Sequence, residues 1–170
     1  ESGSPLGRPW ISALLDYKSK SILGFYIGFE PPSYLSVAHA LYHAISSKSY
    51  VKELYPEVEN DWLCCGKIAV LVCDRGKEFE SFSLEDACDD LNISLQANPG
   101  KHPWYKGSVE RYFQTVNQKL LKDQPGVVLG SSLSKIIDYD PTKHAVISLD
   151  ALLSIFHIWV IDIYKCDKVS

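Results

Sequence analysis

The chain has no methionine at any of its 170 positions, not even the first. A natural full-length protein normally begins with one, so the sequence reads as an excised piece of a longer polypeptide. It lacks any apolar run of the roughly 18 residues that a membrane-spanning helix needs. No charged-then-apolar leader opens it; Glu1-Ser2-Gly3-Ser4 is small and polar. No membrane association is expected, and a cytoplasmic location is. There is no C-x-x-C pair. The five cysteines, at 64, 65, 73, 88 and 166, are odd in number and two are adjacent. That pattern suits reduced thiols, some of them buried, and not a disulfide framework. Positive charge is also short, with a formal net charge of −4. Taken alone, this counts against a nucleic-acid-binding protein. Repeats and low-complexity tracts are absent.

What remains is enough chain for one domain with a proper core, in the proportions of a soluble globular protein. Trp10 to Leu15 reads as a buried strand ending on Asp16, and Asp16 to Lys20 as a polar hairpin connection. Ile22 to Phe29 is the returning strand, in which Gly24 and Gly28 mark bulges or close backbone approaches. Pro31-Pro32 breaks the sheet. Ser33 caps a helix over Tyr34 to Ser46 with Val37, Ala38, Leu41, Ala44 and Ile45 as its buried stripe. A short turn follows near Val51 to Leu54.

Ile68 to Cys73 is a continuous apolar run, the mark of a central strand covered on both faces. A helix over Leu84 to Asn92, capped by Ser83, and a short strand over Ile93 to Ala97 come next. Asn98 to Pro103 is a loop of breakers. An amphipathic helix over Gly107 to Lys122 buries Val109, Tyr112, Phe113, Val116 and Leu120. Its neighbouring face carries Glu110, Gln114 and Asn117. A last helix over Leu149 to Tyr164 buries Leu149, Leu152, Leu153, Phe156, Trp159, Val160 and Ile163. Strands, then a β-α-β unit, then helices argue a mixed α/β layer fold.

Two acids stand out. Asp74 ends the apolar run, which places a carboxylate at the open end of a sheet, where ligands bind in open α/β folds. Glu110 sits one turn into a helix. Two carboxylates brought together this way attract a hard divalent cation. Thirty-five residues separate them.

That spacing resembles the last two members of the D,D-35-E triad of the retroviral integrase and transposase superfamily. The flanking words match too. Cys73-Asp74-Arg75-Gly76-Lys77-Glu78-Phe79 resembles D-(N/R)-G-x-E-F, and Lys106-Gly107-Ser108-Val109-Glu110-Arg111 resembles K-G-x-V-E-R. Arg8-Pro9-Trp10, Gly28-Phe29-Glu30-Pro31-Pro32-Ser33-Tyr34 and Leu121-Lys122-Asp123-Gln124-Pro125-Gly126 point to the bacterial Mu-type branch.

The resemblance implies an RNase H-like sheet of about five strands flanked by helices, with the first strand missing or truncated. It implies a single integrase-like catalytic core domain over 1–170. It also implies DNA 3′-end cleavage and strand transfer supported by two Mg²⁺ or Mn²⁺ ions held by Asp74 and Glu110. Double-stranded DNA, as element ends and target, would be the substrate. The active form would be a homo-oligomer on DNA, working with other domains of the full-length protein.

The third acid stays open. Asp16 also ends an apolar run, but Leu15-Asp16-Tyr17-Lys18-Ser19 matches a non-catalytic turn of relatives. Their first catalytic Asp lies about two dozen residues upstream. The piece is therefore expected to lack a complete active site, and a non-catalytic module that binds DNA or a partner is the other reading. Lys106, Gln114 and Asn117 adjoin Glu110 and would meet the DNA backbone, with Arg111 and Lys119 beside them. Phosphate contacts of this kind fix register without reading sequence. His39 and His43 share H-E-x-x-H spacing, but position 40 is Ala where a general base belongs. His157 has no evident partner in the sequence.

Overall fold

A computed structural model describes residues 7–73, 82–97, 103–116 and 147–164. Within them the chain is a mixed α/β arrangement of two small sheets and several helices. Strands β1 (Trp10–Leu15) and β2 (Ile22–Gly28) form an antiparallel hairpin with Trp10 opposite Gly28 and Ala13 opposite Phe25. The register slips between Leu14 and Leu15. Strands β3 (Val70–Cys73) and β4 (Ser94–Ala97) pair in parallel, Val70 beside Ser94 and Cys73 beside Ala97. The crossover between them contains helix α3 (Phe82–Asp90).

Helix α1 (Tyr34–Ile45) begins at Ser33. The Ser36 hydroxyl accepts the Ser33 amide at 3.0 Å and donates to the Ser33 carbonyl at 2.8 Å. The helix lies on one face of the hairpin at very short range. A Cβ at Gly24 would meet the Ala44 backbone and stand 2.8 Å from the Ala40 carbonyl. Only glycine permits that approach. It turns the buried stripe onto Ser36, Val37, Ala40, Leu41 and Ala44, so Ala40 takes the place expected for Ala38, which is half-buried.

Two apolar clusters result. In the first, Ile22, Phe25 and Ile27 from the other face of the hairpin meet Val51, Val58, Trp62, Tyr112, Val116, Phe156, Trp159, Val160, Ile161 and Tyr164. These come from α2 (Tyr50–Leu54), α4 (Pro103–Thr115), α5 (Leu149–Ile158), the helical turn Trp159–Tyr164 that continues it, and adjoining residues. In the second, Val37 and Leu41 of α1 join Leu71, Leu84, Cys88 and Ile93, with Leu14 of β1 alongside.

Three expectations shift. Strand β3 is not covered on both faces. Leu71 is buried, but Val70 and Val72, on the opposite face, remain 44% and 41% exposed. Helix α4 starts four residues before the expected Gly107, at Pro103, whose missing N–H costs nothing in a first turn. Helix α3 likewise starts at Phe82, so Ser83 is inside it.

The last helix widens into a π segment at Trp159–Tyr164. In an α-helix each residue advances about 100°, and the wider π turn advances each residue less. The buried face therefore takes in Ile161 and Tyr164 and turns Ile163 outward to 45% exposure. Asp162 fixes this segment to the preceding loop. Its carboxylate accepts the Glu59 and Asn60 amides at 3.0 and 2.8 Å and the Asn60 side chain at 3.0 Å.

The outer edge of β2 is closed by side chains. His43 Nδ1 sits 3.1 Å from the Phe25 nitrogen and 2.7 Å from its carbonyl oxygen, and the Trp62 indole donates to the Ile22 carbonyl at 3.1 Å. The outer edge of β1 has no strand on it among the described residues. Edges are commonly blunted in this way.

Candidate functional site

Strand β3 delivers its chain to the candidate site. Cys73, its last residue, is half-buried against the second cluster, and burial pushes its thiol up to about 11, with the nearby Cys88 adding to the effect. It ends the strand as a neutral apolar group. Asp74 follows directly and lies outside the described residues, as do Asn117 and Lys119.

Glu110 is on α4. Tyr112 and Val116, one turn apart, bury this helix, with Tyr112 in ring contact with Phe113, Trp159 and Tyr164. Glu110, Arg111 and Gln114 consequently point to solvent. Glu110 and Gln114 share a row at i, i+4, and Arg111 adjoins them. Thr115 back-bonds to the Arg111 carbonyl at 2.8 Å. Lys106 belongs to the same helix, about one turn before Glu110. Tyr112 and Phe113 of α4 join the first cluster and Leu71 and Cys73 of β3 the second, so the helix carrying Glu110 is anchored on the π segment.

Asp16 occupies a different place. Its Oδ2 accepts both the Ser19 amide and the Ser19 hydroxyl at 2.6 Å, and its backbone closes the turn through Ser21 and Lys20. Lys20 takes a left-handed φ of 58° to make that turn. The Ser19 hydroxyl, then the Ser19 amide, hold the Asp16 carboxyl below its ordinary range. Asp16 lines an open cavity of roughly 460 Å³ with Leu23, Ala44 and the segment from Leu63 to Val70. It thus stands near the first residue of β3, whereas Asp74 follows the last. A four-residue strand separates those ends by about 10 Å.

Two polar features were not visible in the sequence. Lys48 is 6% exposed. Its ammonium donates to the carbonyls of His43, of Ser46 at 2.8 Å and of Cys64 at 2.9 Å, and lies over the Trp62 ring. It closes the C-terminus of α1, where the helix dipole favours a cation. Burial lowers its pKa.

The second feature is a buried row of side chains. His43 Nε2 is 2.7 Å from the Tyr50 hydroxyl, which is 3.1 Å from His157 Nε2, and His157 Nδ1 is 2.7 Å from the Leu153 carbonyl. Tyr55 stacks on His157 at 4.1 Å. Burial drives His157 down to about 4 and lowers His43, while Tyr50 is pushed up to about 12. His39, one turn before His43, is exposed and stacks on Tyr26, so these two histidines do not converge. The one available sequence signal for the row was a histidine inside the apolar face of the last helix.

Comparison with known proteins supplies the relatives. A family model described as the TnsB C-terminal domain matches residues 1–126. The chain is 35% identical over 154 residues to the transposon Tn7 transposition protein TnsB of Escherichia coli, covering 89% of this chain and 21% of that protein. It is 32% identical over 135 residues to the transposase for transposon Tn552 of Staphylococcus aureus, covering 79% of this chain and 26% of that protein. It spans between a fifth and about a quarter of the length of these relatives.

Proposed function

From the membership of this chain in the TnsB C-terminal domain family, we propose that it is part of the DNA-transferring core of a transposase. In this reading Asp74 and Glu110 are two ligands of a divalent-metal site in an RNase H-like module. The reading is supported by an acid that directly follows a parallel strand in the sequence and by a solvent-facing acid on a helix anchored through Tyr112 and Val116. Carboxylates are hard oxygen donors, the type that Mg²⁺ and Mn²⁺ take. When bound, such ions activate the attacking oxygen and stabilise the leaving one in phosphoryl transfer. The chain's own part is positional. Tyr112 and Val116 fix the helix that presents Glu110. Arg111, Gln114 and Lys106, together with Asn117 and Lys119, would hold the DNA backbone, and DNA binding should weaken steeply with salt.

The split sheet supports the RNase H-like reading. Two-stranded sheets are marginal on their own. One strand seated on the open edge of β1, and meeting the open side of β3, would join both pairs into a single mixed sheet of five. Leu14 of β1 and Leu71 of β3 already share a cluster across that gap. Such a strand is also where the third acid of the family pattern would ride, because Asp16 is committed to its turn. That commitment equally favours the second reading, a module that binds DNA or a partner without catalysis.

Mn²⁺ titration followed by NMR tests the metal site. Paramagnetic broadening should reach the amides of Cys73 and Glu110 together and vanish in both Asp74→Asn and Glu110→Gln. Broadening confined to one of the two positions, or indifferent to both substitutions, sinks the assignment.

A further inference from the structure

The row from Phe25 through His43, Tyr50 and His157 to Leu153 takes no part in the function proposed above, yet its proton count is unusual. Each outer contact, at 2.7 Å, is to a backbone carbonyl, and a carbonyl only accepts. Each therefore calls for an Nδ1–H. If both rings are neutral and carry their proton there, both Nε2 atoms are bare and both face the Tyr50 oxygen. One phenol proton can serve one of them. Two neutral imidazoles and a phenol bring three protons to four contacts.

The neutral row has one arrangement that leaves no ring nitrogen unpaired. The Phe25 amide donates to His43 Nδ1 at 3.1 Å. His43 Nε2–H then donates to Tyr50, Tyr50 O–H to His157 Nε2, and His157 Nδ1–H to Leu153. The cost is that the Phe25 carbonyl contact has no proton in it.

A single added proton completes all four contacts, and it can rest on either ring. With His43 cationic, Nδ1–H goes to the Phe25 carbonyl, the Phe25 amide gives up its bond to that nitrogen, and the other bonds stay as they were. With His157 cationic, the Tyr50 hydroxyl turns to His43 Nε2 and accepts from His157 Nε2–H. The two forms differ by a concerted shift through the phenol. A second proton fits nowhere. Both Nε2 atoms would then donate to Tyr50, whose own proton would have no acceptor, and two cations would face each other with ring centroids 6.3 Å apart.

We propose that His43, Tyr50 and His157 form a one-proton latch. One proton shared through the Tyr50 hydroxyl completes the row, and a second breaks it and releases α2 and α5 from the edge of β2. The surrounding groups set when this happens. Lys48 lies at the C-terminus of α1 and opposes charge on His43. Tyr55 covers His157, Asp150 of α5 acts on Tyr55, and Cys64 packs against the same cluster. The Tyr50 phenol keeps its proton throughout, being shifted upward. Burial delays both protonations into acid.

Nitrogen-detected NMR of the imidazoles in the 170-residue chain tests this, alongside the Tyr50→Phe variant. At neutral pH, His43 is expected as the Nε2–H tautomer and His157 as Nδ1–H. On acidification both rings should shift together in one shared step, and a second step should coincide with faster amide exchange in α2 and α5. In Tyr50→Phe the two rings should titrate separately. Should that variant fail to fold, the tautomers and the shared step in the unsubstituted chain decide the matter alone. Finding His157 as Nε2–H at neutral pH, or two independent titrations with Tyr50 present, overturns the proposal.

Discussion

Lys48 shows how one side chain can hold several elements. Its ammonium ends α1, gathers the carbonyls of His43, Ser46 and Cys64, and is covered by Trp62. Removing it strands several buried acceptors at once. Lys48→Ala should therefore cost about 2–3 kcal/mol, read from the urea midpoint, since a buried polar group left unsatisfied costs roughly 1–3 kcal/mol. Arg should not restore the loss, because a flat guanidinium cannot point three donors at carbonyls around a point. Glu110 is the opposite case. It faces solvent on a helix anchored elsewhere, so Glu110→Gln should leave stability within about 0.5 kcal/mol of the parent while removing Mn²⁺-induced broadening. A large loss of stability would mean that Glu110 has a structural partner, and the metal reading would weaken.

At the scale of elements, the closest packing is that of α1 on the hairpin. A methyl at Gly24 meets backbone atoms of Ala40 and Ala44, which cannot move aside as a flexible side chain would. Gly24→Ala should cost about 2–3 kcal/mol, the upper end of ordinary overpacking, and trimming Ala44 to glycine should not rescue it. Thermal unfolding of the single and double variants checks both statements. This contact was half legible in the sequence: a glycine in a strand pattern signals close approach, but not what approaches. The hairpin, α1 with its Ser33 start and the order β3-α3-β4 were readable because period and punctuation are local, while α2 read only as a turn. The bounds of α4 were not, since Pro103 ends a run of breakers and also opens a helix. Nor was the π widening after Ile158, which reassigns Ile161, Ile163 and Tyr164 between inside and outside. Tyr50 and His157 are 107 residues apart, and no pattern within a segment could reveal that they meet. Of the candidate site, the two acids rest on spacing and flanking words, and the anchoring of α4 through Tyr112 and Val116 was legible as a stripe.

For the whole molecule, acid is the informative variable. His157 and His43 both have folded pKa values lowered by burial. Between the ordinary histidine value and the lowered one, the unfolded chain binds more protons than the folded chain, so stability rises with pH there. The contribution is full above pH ~6.5 and is lost as pH falls toward the value of about 4 at His157. At 1.36 kcal/mol per unit, His157 alone accounts for about 3 kcal/mol. Denaturant midpoints between pH 4 and 7 should trace that slope, and His157→Gln should flatten it. In function, the isolated chain should show little or no metal-dependent strand transfer. Robust Mn²⁺-dependent DNA cleavage that Asp16→Asn abolishes would make Asp16 the third ligand.

The side of β1 on which no described strand lies, and the part-exposed Val70 and Val72 of β3, carry a practical consequence. Unclaimed amides and carbonyls recruit any extended peptide of suitable reach, and the nearest supply in a concentrated solution is another copy of the same molecule. The isolated polypeptide should cluster with itself as its concentration rises, and a short soluble peptide able to occupy that rim should keep it dispersed.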